Sequence, residues 1–109
     1  MPVTEYCVIM TTCASREEAE KIKDALLTEQ LVACANIINS VSSFFWWEGK
    51  IDSTDEVLMV VKTTRNLFDR VRDRIVSVHS YSVPEIIALP IITGHAPYLQ
   101  WIADSVKNK

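Results

Sequence analysis

Two runs of uninterrupted hydrocarbon constrain this chain more than any other feature. Val57-Leu58-Met59-Val60-Val61 and Ile86-Ile87-Ala88-Leu89 are apolar at successive positions, so a strand built from either one presents hydrocarbon on both faces. A sheet that contains them needs cover on both sides. Helices to supply it are few. Ser15 with Glu18 three residues later marks a capping box, and Ala19, Ile22, Leu26 and Leu27 recur at helical spacing, which predicts a helix ending near Gln30. Thr64 or Asn66 can cap a second helix whose stripe is Leu67, Phe68, Val71, Ile75 and Val78. Pro97 at a first turn, followed by Tyr98, Leu99, Ile102 and Val106, predicts a short third helix.

Strands fill the intervals. Residues 6–12 are rich in β-formers. Residues 32–47 read as a long, bent second strand weakened by Asn39, Ser40, Ser42 and Ser43, and Glu48-Gly49 supplies a tight turn. Residues 56–63 form the third strand. Pro84 forces an extended break, after which residues 85–92 form the fourth. The order β-α-β-β-α-β plus a terminal helix is the split-βαβ, ferredoxin-like arrangement of an α+β domain, and the 109 residues make one domain over 1–109. Two helices cover one side of a four-stranded sheet, and the terminal helix is too short to cover the other. Another copy of the chain is the simplest cover, with the aromatics Phe44, Phe45, Trp46 and Trp47 near the hairpin tip extending the interface.

Composition excludes several function classes. A net charge of −3 and a pI near 5.3 argue against a nucleic-acid partner, and the aromatic cluster has no interleaved basic residues. The longest apolar run, 86–92, is broken by Pro90 and is too short to span a bilayer. No basic segment precedes an apolar stretch at the start, so no signal peptide is expected. Cys7, Cys13 and Cys34 are an odd number without a C-x-x-C pair, which fits a reducing cytoplasm. Cys7 and Cys34 lie in apolar runs and read as core, whereas Cys13 closes a strand. There is no Gly-rich phosphate loop, H-E-x-x-H or nucleophile elbow, so an enzyme is not expected.

Site candidates gather in His79-Ser80-Tyr81-Ser82-Val83-Pro84-Glu85. His79 is either a metal ligand or a helix C-cap that donates to the last carbonyls. His95, after Gly94, reads as a surface or capping residue. Lys62 and Glu85 are charges at the ends of apolar strands, and Tyr81, Tyr98 and Trp101 accompany them. This set is either an ion pair that fixes an assembly or a cleft between subunits for a small polar ligand.

Ala33-Cys34-Ala35-Asn36, Trp47-Glu48-Gly49-Lys50, Glu56 with Lys62-Thr63, His79, Tyr81, Pro84-Glu85, Leu89-Pro90, Tyr98 and Trp101 follow one another in a specific order. In that order the chain resembles the CutA family, the divalent-cation tolerance proteins, over essentially its whole length. The resemblance implies a ferredoxin-like homotrimer similar to the trimers of PII signalling proteins, which bind small molecules between subunits. It also implies a role in tolerance to copper and other divalent ions. The family's copper-binding cysteine falls at Thr11, and the first of its two histidines at Val78; the second is His79. What the resemblance then implies is no obligatory cofactor and weak copper or zinc binding at His79, with Cys13 as a second candidate. The alternative is a small-molecule sensor or trimeric scaffold.

Overall fold

A computed structural model describes residues 5–107; the reading of 1–109 as one domain, and of the first residues as carrying no signal peptide, extends beyond them. The elements follow the expected order: β1 (Tyr6–Cys13), α1 (Arg16–Thr28), β2 (Cys34–Trp47), β3 (Lys50–Thr64), α2 (Phe68–Val78), β4 (Ile86–Pro90) and α3 (Ala96–Ser105). The sheet is antiparallel throughout, in the order β2-β3-β1-β4.

Alternation along β1 and β3 divides the sheet into two faces. Cys7, Ile9, Met59 and Val61 point to one face and pack with Ile22 and Leu26 of α1 and Val71 and Ile75 of α2. Val8, Met10, Val60 and Lys62 point to the other, alongside Ile87 and Leu89 of β4, which the register places opposite Met10 and Val8. Helix α3 covers only a corner of this open face, where Leu99, Ile102 and Ala103 enclose Tyr6. Ile38, Ile87 and Leu89 stay 45–49% exposed. The expectation that two helices and a short third leave one apolar face uncovered therefore holds within the chain.

Helix α1 starts at an extended Ser15 whose hydroxyl accepts the Glu18 N–H at 3.1 Å. The capping box is only half made, because the Glu18 carboxylate turns away to another element. At the other end Gln30 takes a positive φ of 56°, and the Gln30 and Leu31 N–H groups bond Leu27 and Leu26 carbonyls. This Schellman closure ends the helix at Thr28, two residues earlier than expected. Ser15→Ala is expected to destabilise the chain by about 1 kcal/mol through the lost cap; urea unfolding with an unchanged midpoint would contradict it.

Three further boundaries depart from expectation. β3 begins at Lys50 rather than residue 56, because the polar stretch 50–55 pairs with the second half of β2 up to Trp47↔Lys50. The pair makes an arm, closed by Glu48 and Gly49 at φ 49° and 77°, a two-residue turn whose positive φ values match strand twist. A bulge between Ile38 and Val41, with Ser40 at φ 62°, accounts for the bend in β2. β4 is shorter than expected, running from Ile86 to Pro90, so Glu85 lies just outside it. Neither Thr64 nor Asn66 caps α2: the Thr64 hydroxyl bonds Asn66, and a 3-10 turn at Arg65–Leu67 leads into the helix. Cys34 is not core either; it is half-buried on the open face beside Lys62.

Candidate functional site

Three chain segments converge at the end of β1. Cys13 is its last residue and fully buried. Glu18 lies in the first turn of α1, and His79 ends α2 in an extended conformation. Glu18 reaches across to accept the Ser80 N–H at 3.0 Å and the Ser80 hydroxyl at 2.7 Å. The His79 backbone N–H caps Ile75, but its ring does not bond its own helix, contrary to the capping expectation. Instead Nε2 lies 2.7 Å from the Thr12 carbonyl oxygen. A carbonyl can only accept, so Nε2 carries a proton.

That bond leaves Nδ1 facing inward. Nδ1 accepts the Tyr81 N–H at 3.0 Å and also lies 3.0 Å from a Glu18 carboxylate oxygen. An ion that binds Nδ1 must take the place of the Tyr81 N–H on that nitrogen. One ligand atom from each of Cys13, Glu18 and His79 lies within 4.8 Å of the others. The set offers sulfur, nitrogen and oxygen, which suits zinc or copper rather than magnesium or calcium. The Thr12 carbonyl on the far ring nitrogen is the outer partner that metal-bound imidazoles usually have. Burial, then the nearby Glu18 and Glu56 carboxylates, push the Cys13 thiol up to about 12, so an ion must displace its proton.

The copper positions implied by the resemblance do not fit an ion in this chain. Thr11 is buried on the helix-covered face with its hydroxyl unpartnered, and Val78 supplies only carbon. Cys13, two residues beyond Thr11 and on the same face of β1, is the thiol that meets His79.

The expected cleft residues separate into two places. Tyr81 stacks at 4.7 Å on His79 and donates its hydroxyl to Glu56 Oε2 at 2.8 Å. Burial, then the bond to Glu56, push this phenol up to about 12. Tyr81, Glu56 and the exposed Glu85 line a groove against Phe45 and Trp47 of the arm. Lys62 lies six residues along β3 from Glu56, about 20 Å away in an extended strand. Its ammonium donates to Asn36 Oδ1 at 2.5 Å and lies 3.9 Å from Cys34 Sγ. Tyr98, whose phenol is pushed up by burial and then by Cys34, stacks at 5.5 Å on Trp101 near that end. Lys62 and Glu85 make no ion pair within the chain. His95 is exposed at the start of α3, with no side-chain cap bond.

Glu18 and Glu56 are the site residues that sequence reading passed over. The signal for Glu56 was its alternation with Leu58, Val60 and Lys62, which puts a carboxylate on an apolar face. Glu18 read as a capping residue, and only the arrival of His79 gives it a second partner.

The sequence model of the family described as "CutA1 divalent ion tolerance protein" matches residues 7–105. A protein named "Divalent-cation tolerance protein CutA" from Archaeoglobus fulgidus is 46% identical over 99 residues, covering 91% of this chain and 96% of the relative. "Protein CutA 1, chloroplastic" from rice (Oryza sativa subsp. japonica) is 36% identical over 101 residues; the match takes in 93% of this chain but only 57% of the rice protein. Among solved structures, a divalent cation tolerance protein from Thermus thermophilus superposes with a TM-score of 0.91 at 38% identity, covering 94% of this chain and 99% of that one.

Proposed function

The chain belongs to the CutA1 divalent ion tolerance family, and on that premise we propose that it is a non-catalytic homotrimer that binds a copper or zinc ion weakly. The observation that carries the metal reading is the convergence of Cys13, Glu18 and His79 within 4.8 Å. Weak affinity follows from what the ion displaces: a thiol proton held up to about 12, the Tyr81 N–H on Nδ1 and the bonds that Ser80 donates to Glu18. The trimer is supported by the uncovered sheet face and by the exposed arm aromatics Phe45, Trp46 and Trp47. Three unpaired thiols support a reducing, cytoplasmic setting.

Zinc titration by calorimetry at neutral pH is expected to give one weak site per chain. Its affinity should drop by about tenfold or more in His79→Ala and in Cys13→Ala. Affinity should also fall as pH falls, because the thiol must lose its proton to bind. A tight site that survives both substitutions would remove this centre from the reading.

A second reading is a small-molecule sensor or scaffold with its ligand between subunits. The groove between the arm and Tyr81–Glu85, at the edge of the face that a neighbouring copy would cover, supports it.

A further inference from the structure

The groove beside the arm carries an imbalance of charge. It is about 910 Å³, within the range of small-molecule sites. Its acidic groups are Glu56, Glu85 and Asp52, and within one chain no Lys, Arg or His among the described residues lines it. Glu56 is the decisive residue. It is only 9% exposed, and among the described residues its one side-chain partner is the neutral Tyr81 hydroxyl. A buried carboxylate without a cation is costly, so native structures pair such charges.

The geometry explains why the groove is open at this place. Glu56, Thr54 and Asp52 alternate onto the open face of the sheet, where they pair with Val41, Ser43 and Phe45. Phe45 and Trp47 therefore stand as a wall on the same face as the carboxylates. The loop from Tyr81 to Glu85 forms the opposite wall. Aromatic faces next to carboxylates attract a soft organic cation, which is weakly hydrated and can be desolvated cheaply. A hard divalent ion wants six to eight oxygens around it, which carboxylates spread over a groove of this size do not supply.

We propose that this groove binds a small organic cation, an amine or guanidinium on an apolar body, with Glu56 and Glu85 pairing the charge and Phe45, Trp47 and Tyr81 holding the body. The proposal rests on the small-molecule reading above and names the class of ligand.

The test titrates the chain with benzylammonium, benzyl alcohol and benzoate, followed by calorimetry and tryptophan fluorescence. Benzylammonium should bind saturably, benzyl alcohol about tenfold more weakly or worse, and benzoate not at all. Glu56→Gln and Glu85→Gln should each weaken benzylammonium several-fold, while Glu17→Gln on the outer face of α1 should not. Glu85 is exposed, so its variant keeps the test valid if Glu56→Gln fails to fold. Equal binding of the alcohol, or benzylammonium affinity unchanged in both groove variants, overturns the cation assignment but leaves a small-molecule groove standing. Binding of none of the three overturns both, as expected if a neighbouring copy fills the groove.

Discussion

Replacing Val60 by aspartate is expected to yield a chain that no longer assembles. Val60 lies on the open face of β3, between Met10 of β1 and Asn36 of β2. Ile87 extends the same row on β4. In a trimer packed through this face, each copy would bury an unpaired carboxylate, a cost of about 3–5 kcal/mol per site. Leu89→Asp, two strands away on the same face and 45% exposed in the single chain, should act alike. Lys23→Ala, on the outer side of α1, should leave assembly intact. Light scattering reads the result directly. A native chain that remains a folded monomer at micromolar concentration, or Val60→Asp assembling normally, would sink the interface.

Alkaline pH is expected to destabilise the chain through Cys13. Burial, with Glu18 and Glu56 adding to it, raises this thiol from 9.0 to about 12. The folded state thus favours the neutral thiol, while the unfolded chain ionises near the ordinary value. The stability so gained is fully present below pH 9 and is lost as pH rises through the folded value near 12. Three pH units at 1.36 kcal/mol each make about 4 kcal/mol over that window. Cys7, raised chiefly by burial, and Tyr81, raised by burial and its bond to Glu56, act in the same direction. Urea unfolding at pH 7 and at pH 10.5 should show a drop for the native chain that shrinks in Cys13→Ala. Equal drops in the two proteins would show that the thiol does not carry the effect.

Much of the fold was legible because its signals are local. The hydrocarbon of Val57–Val61 and Ile86–Leu89 marked strands with two buried faces, and counting helices against those faces left one side open, as the exposed Ile87 and Leu89 bear out. Errors arose where a segment took its structure from a distant partner. Residues 50–55 are polar and carry no strand signal of their own, yet they are strand because β2 lies alongside them. Cys34 sits in an apolar run, but alternation turned it to the open face beside Lys62.

The order of elements, the uncovered face and the candidacy of His79, Cys13, Tyr81 and Glu85 are written locally in the chain, since periodicity, turn residues and ligand chemistry are properties of neighbouring residues. Which of them meet depends on how the elements pack together. Glu18 bonds Ser80 across 62 positions and Glu56 bonds Tyr81 across 25, while Lys62 is set apart at the far end of β3 from Glu56. Strand register and the packing of α1 against the end of α2 fix those encounters, and the energy that fixes them comes from the shared core rather than from the site residues.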